Sequence, residues 1–192
     1  MAATGRKAED SARTRAAILD AAEAIMREDG YAAVTTRRVS ERAGVNLGLI
    51  HYHFGTMDEL FLGLFQRTDD QHLARYDRVL ESDHPLRALW ETHSDATANE
   101  LIIEFMALAN HRKAVREEIA RSCERIRQTQ VALLTRILAD LGVDAGKWPP
   151  LVLSLLMAGA SRAIATETAI GVNTGHAEAL AFIDSHLRDI KP

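Results

Sequence analysis

The chain has 192 residues, 47% hydrophobic and 26% charged, enough apolar material for one large domain or a small domain fused to a larger one. A single cysteine, Cys123, excludes an internal disulfide framework and suits a reducing cytoplasm. The net charge of −4 excludes a protein that is basic throughout, so affinity for nucleic acid would have to come from a local patch.

The leading residues, MAATGRKAEDSARTR, hold no apolar core of the kind a secretory signal needs, and residues 1–11 read as a polar, mobile arm. No segment shows sustained period-two alternation, so the expected fold class is all-α, with about nine helices. A first helix is expected over 12–29, with Ile18, Ala22, Ile25 and Met26 on one face and Gly30 as its stop. Residues 35–54, TTRRVSERAGVNLGLIHYHF, then read as two short helices joined by a tight turn. Thr35 or Thr36 can cap the first of these, Val39 and Ala43 face inward, and Gly44 ends it in a left-handed conformation. Asn46 caps the second, whose buried stripe is Ile50 and Phe54. Its opposite face carries Leu47, His51 and Tyr52, with Arg37 and Arg38 close by, a set suited to phosphates and base edges. The spacing alone leaves an ordinary helical hairpin open.

Thr56-Met57-Asp58-Glu59 has the form of a capping box, and apolar spacing continues from Leu60 through Tyr76 to Leu80 before 81–85 breaks it. A fifth helix should begin near Pro85 and carry Leu86, Leu89 and Trp90; a sixth, over 99–110, is apolar on more than one side. A long seventh helix, 112–141, has a stripe running from Val115 to Ile137 and stops at Gly142. An eighth (150–170) and a ninth (176–189) are separated by Gly171 and Gly175. The apolar run Leu151–Ala160 is too short to span a bilayer and reads as a buried or interface helix. A boundary near residue 60 divides the chain into 1–60 and 61–192. Residues 1–60 hold eight Lys or Arg against nine acids, so any basic patch depends on placement, with Arg6, Lys7, Arg13 and Arg15 at the start and Arg37 and Arg38 at the hairpin.

His51 and His53 are two apart and point to different sides of a helix, so they cannot share an ion as a four-residue pair does. With no paired zinc cysteines, phosphate-binding glycine loop or nucleophile elbow, neither a metal nor a cofactor nor an enzymatic activity is expected.

The first 65 or so residues resemble the tetracycline-repressor (TetR) family of bacterial transcription regulators. The likeness rests on Asp29-Gly30-Tyr31 closing the first helix, on VTTRRVSERAGVNLGLIHYHF and on GTMDEL, with Thr35, Thr36, Ala43, Gly44, Val45, Gly48, Tyr52, His53, Phe54 and Leu60 fitting the family pattern. The resemblance implies that Thr36 and Arg37 touch the DNA backbone or a base at the groove edge. It implies that Leu47, Gly48 and Leu49 face the bases, and that His51, Tyr52 and His53 lie near phosphates. Met57 stands where many members have a phosphate-binding Lys. Leu47 and Leu49 can pack on thymine methyls but cannot read hydrogen-bond patterns, which leaves specificity to Arg37, Asn46, the leading arm or DNA shape.

Residues 61–192 are expected to pair two chains and to sense a ligand. Leu151, Leu155, Ala158, Gly159 and Arg162, with Leu180, Ile183 and Leu187, are the candidate faces of a four-helix bundle in a homodimer. The resemblance implies a small-effector pocket, for which the candidates are Trp90, Phe105, Met106, Ile119, Cys123 and Ile126, with His93 and Arg127 as polar anchors. Its apolar composition favours an apolar or amphipathic effector. The expected function is a cytoplasmic, ligand-responsive repressor on an inverted-repeat operator in double-stranded DNA. A small helical enzyme or carrier, or a protein-interaction adaptor with a relic hairpin, remains open.

Overall fold

The computed structural model describes residues 2–190, which form nine α-helices and no strand. In chain order these are α1 (Ala2–Asp29), α2 (Thr36–Ala43), α3 (Leu47–Phe54), α4 (Met57–Tyr76), α5 (Pro85–His93), α6 (Ala96–His111), α7 (Lys113–Asp140), α8 (Pro150–Ala169) and α9 (His176–Asp189), with short 3₁₀ turns at Tyr31–Ala33 and Val79–Glu81. The all-α fold follows from the apolar spacing, and several of its helix starts carry a recognisable local signal, such as the proline that opens α5 and α8.

Two elements differ from the sequence expectation. Helix α1 begins at Ala2 rather than near residue 12, so the expected mobile arm is helical from residue 2 on. Residues 5–10 are all exposed and bury nothing, so this extension leaves no apolar period to read; Asp10 supports it by pairing with Arg13 at 2.6 Å. Helix α4 stops at Tyr76, and the apolar spacing continues through Val79 in a 3₁₀ turn.

The chain forms two compact units, one running to Thr68 and taking in Glu104–Ile119, the other made of Asp69–Ile103 and the chain from Ala120 onward. In the first, α2 packs on α1 and on α3. Ile18, Ile25 and Met26 of α1, Val39, Ile50, Leu60, Phe61, Leu64 and Phe65 are all buried. Phe105 of α6 meets Phe65 edge-to-face, with ring centroids 5.0 Å apart. The second unit is centred on Tyr76, Leu89, Trp90, Leu133, Leu134, Ile137 and Met157.

Phe105 is fully buried in the first unit. Phe105→Ala is expected to lower that unit's stability by about 3–5 kcal/mol, through lost transfer energy and the cavity left against Phe65. Urea unfolding followed by circular dichroism checks this.

A candidate nucleic-acid interface and a polar interior

The turn between α2 and α3 is built by local chemistry. Thr35 caps α2, its hydroxyl accepting from the Arg38 amide at 3.3 Å. Gly44 ends α2 at φ 66°, ψ 30°, a left-handed conformation that a side chain would strain. The Val45 amide donates to the Ser40 carbonyl at 3.1 Å, which closes the turn. Asn46 caps α3, its side chain accepting from the Leu49 amide at 3.0 Å. With both ends capped, α3 buries Ile50 and Phe54 and turns the other face out. Leu47 is 49% exposed and Tyr52 76% exposed, with Asn46, Gly48 and His51 exposed beside them; Leu49 and His53 are half-buried.

His51 Nδ1 lies 3.0 Å from the Gly55 carbonyl, which can only accept, so Nδ1 carries a proton. The Tyr52 and His53 rings stack edge-on at 5.1 Å. Gly55 then reverses the chain at φ 65°, ψ −69°. The expected capping box follows: the Thr56 amide donates to Glu59 at 2.9 Å and the Glu59 amide to the Thr56 hydroxyl at 3.2 Å. The amide of Thr56 is therefore already satisfied, and the α4 terminus beside Met57 carries two acids, with Asp58 ion-paired to Arg112 at 2.5 Å.

The arginines of the hairpin are held by neighbouring carboxylates. Arg37, with its side chain 84% exposed, pairs with Glu41 at 2.8 Å; Arg38 pairs with Asp29; Arg42 pairs with Glu28 at 2.5 Å. Hydrogen bonds to these acids raise the guanidinium pKa of Arg37 and of Arg42, and Arg42 lowers that of Glu28. Thr36 is half-buried at the start of α2. Sequence spacing did not show that Glu104 of α6 accepts from the Tyr31 amide at 2.6 Å, just before the hairpin.

The candidate effector residues fall into both units. Phe105, Met106 and Ile119 belong to the first, where Phe105 and Ile119 are buried and Met106 is exposed. Trp90, His93, Cys123, Ile126 and Arg127 belong to the second. There Trp90 and His93 are buried and Cys123, Ile126 and Arg127 half-buried. A polar network that spacing did not reveal surrounds them. Tyr76 hydroxyl, His72 Nε2 and Gln130 Nε2 meet at 2.7 and 2.5 Å, and the Ser154 hydroxyl donates to Gln130 Oε1 at 2.7 Å. Burial pushes the Tyr76 phenol up to about 12 and the His72 imidazole down to about 4, the latter with the help of His93. No group of His, Cys, Asp and Glu residues among the described residues is placed to hold a metal ion.

The candidate pairing residues divide as well. Leu151, Leu155, Gly159 and Leu180 are exposed. Ala158 is only 7% exposed, because it shares the inner face of α8 with Ser154, Met157 and Ser161. Arg162 is half-buried, and Ile183 and Leu187 pack on the second unit's core. The exposed apolar face also contains Val152, Leu156 at 63% and Phe182 at 63%, none of them anticipated. At 20 residues with a mean hydropathy of 1.2, α8 is long and apolar enough to cross a bilayer by length and composition, longer than the run Leu151–Ala160 suggested.

Residues 18–64, which include the whole capped hairpin, match the family model described as bacterial regulatory proteins, tetR family. The HTH-type transcriptional regulator CymR of Pseudomonas putida is 27% identical over 145 residues, 72% of this chain and 71% of that protein. Over residues 18–64 the chain matches the TetR family of transcriptional regulators. The HTH-type transcriptional regulator TtgR of Pseudomonas putida is 35% identical over 83 residues, covering 42% of this chain and 40% of TtgR. A TetR transcription regulator from Haloarcula marismortui shares the fold, with a TM-score of 0.72 at 18% identity over 94% of this chain and 98% of that one.

In this TetR-family hairpin, Gly55 carries two constraints: its positive φ, and the Glu59 carboxylate, which a Cβ would strike. Gly55→Ala is expected to destabilise the first unit by about 1–2 kcal/mol from the left-handed backbone alone. Gly44→Ala, with open space around it, should cost less. Shortening Glu59 in the Gly55→Ala background should recover part of the difference in a thermal melt.

Proposed function

We propose that the chain works in the cytoplasm as a homodimeric repressor that holds an inverted-repeat operator and releases it when a small amphipathic effector binds. The observation that carries this reading is the outer face of α3, where Leu47, His51 and Tyr52 stand in solvent on a helix pinned from behind by Ile50 and Phe54. Leu47, Gly48 and Leu49 face base edges, the leucines suiting thymine methyls. Asn46, Arg37 and DNA shape supply the remaining discrimination. Thr36, His51, Tyr52 and His53 meet backbone oxygens. The Arg37–Glu41 pair is exposed, and such pairs contribute little in water, so a phosphate can take the place of the carboxylate.

The exposed apolar rows of α8 and α9 support pairing with a second copy, because contiguous patches of this kind mark interaction surfaces. Two helices from each chain complete a four-helix bundle. Its two-fold symmetry sets the two α3 helices one DNA turn or a multiple apart, roughly 34–36 Å. The first unit is then the reading head, and the second holds the effector and the pairing surface. Effector binding acts by population shift; a hundredfold preference for the released arrangement corresponds to about 2.7 kcal/mol.

Selection of bound fragments from random DNA is expected to return an inverted repeat; sequences with no repeat would overturn the reading. Arg37→Ala should weaken operator binding and lower the slope of log affinity against log salt by about one, with the dimer intact by gel filtration. Leu156→Glu should give a monomer by the same measurement and lose most DNA affinity, since one head alone binds weakly.

A further inference from the structure

The end of α4 and one side of α5 leave a groove between them in the second unit. Residues 88, 91, 92 and 95 follow helical spacing along one side of α5 and just past its end. Residues 75, 78 and 79 repeat that spacing across the end of α4, where the Arg78 amide donates to the Arg75 carbonyl at 3.3 Å. The 3₁₀ turn that follows packs on α5. The groove has a volume of about 300 Å³, lined by Arg75 and Arg78 from the α4 end and by Glu91 and Thr92 from α5. Val79, only 2% exposed, and the half-buried Ala88 are its apolar lining. Ligand sites run from roughly 300 to 1,000 Å³, so this one suits a small molecule.

Its charges are only partly committed. Arg75 Nη1 donates to Asp95 Oδ2 at 2.5 Å, and Asp95 Oδ1 accepts from the Ala98 amide at 3.3 Å, so Asp95 is engaged on both oxygens. Glu91 Oε1 accepts from Arg87 Nε at 2.9 Å, and Arg87, which does not line the groove, also faces Asp184 at 3.5 Å. Glu91 Oε2 has no hydrogen-bond partner among the described residues. The Thr92 hydroxyl donates its one proton to the Ala88 carbonyl at 2.9 Å, which leaves it an acceptor. Arg78 is exposed and meets no carboxylate among the described residues; it shares the groove with Glu91 without pairing to it. A free cation therefore stands on one flank and free acceptors on the other. A simple anion placed here meets Glu91, and a simple cation meets Arg78; a molecule that carries both charges satisfies both flanks.

We infer that this groove binds a free α-amino acid with a short apolar side chain. Its carboxylate accepts from the Arg78 guanidinium, with Arg75 completing the basic flank. Its ammonium donates to Glu91 Oε2 and to the Thr92 hydroxyl, and its side chain lies on Val79 and Ala88. The site is built wholly from residues 75–95 and does not depend on the regulator reading above.

Saturation-transfer NMR titration of the full-length chain tests this, in mildly acidic buffer that keeps every amine protonated. L-alanine, L-valine and L-leucine are the probes. N-acetyl-L-leucine, which lacks the cation, and L-leucinamide, which lacks the anion, are the controls. Saturable binding of at least one probe is expected, with both controls weaker by about fivefold or more, because each control loses a charged hydrogen bond. Arg78→Gln and Glu91→Gln should each weaken the probe by a similar factor; both side chains are exposed, and circular dichroism confirms that the variants fold. No saturable binding of any probe at tens of millimolar would overturn the inference. So would a control that binds as well as the probes, or affinity unchanged in both folded variants.

Discussion

An eight-residue helix has no stability of its own in water, and α3 is eight residues long. Everything proposed for its outer face depends on how its inner face is held. Two caps close its ends, but the anchor is Phe54. The Arg15 guanidinium lies 5.0 Å above the Phe54 ring, and Gly63 of α4 makes room beside it, since a Cβ there would stand 3.0 Å from the ring edge. A glycine inside a helix is costly on propensity grounds; here it lets the α4 backbone come against the residue that fixes α3. The orientation of Tyr52 and His51 therefore follows from a close approach two helices long, not from any preference of their own.

The same head resolves the conflict between a net negative chain and a nucleic-acid partner. Arg37, Arg38 and Arg42 are each paired with an acid of the same unit, and all six side chains are at least 40% exposed. Exposed ion pairs are weak because water screens them and both side chains lose freedom. A phosphate offers the guanidinium a bidentate partner of higher charge density and releases condensed counterions on binding. The acids act as placeholders that keep the arginines extended near the hairpin. On the proposed reading the effective patch appears when phosphates displace the carboxylates, and a charge count over residues 1–60 sees no excess because acids and arginines are paired.

What was legible in the sequence was local. The cap at Asn46, the left-handed Gly44, the Thr56–Glu59 box and the proline starts of α5 and α8 all involve partners within five residues, and each stands where spacing put it. Long-range features were not legible. The bond from Glu104 to the Tyr31 amide joins residues 73 apart, and nothing in the pattern around Glu104 marks it. Helix α8 failed differently. It is apolar on most sides, so periodicity gives no phase, and Ala158 could not be told from Leu156 until burial separated them. Met106 is exposed, and spacing could not place it for the same reason, since its helix is apolar on several sides.

The polar interior of the second unit shows where stability and function part. Each buried group left unpaired costs about 1–3 kcal/mol, so a core selected for stability alone would not hold three of them, Asp69 Oδ1, His93 Nε2 and Arg127 Nη1. Meanwhile Tyr76, Gln130 and Ser154 are joined in a chain of hydrogen bonds across three helices, which shows that this unit can satisfy buried polar groups. Local rules broken beside local rules kept are the pattern of a functional site. A partner that supplied such missing bonds would recover that cost on binding, and would favour the arrangement in which it supplies them. Differential affinity of that kind is the one quantity that can move a two-state regulator.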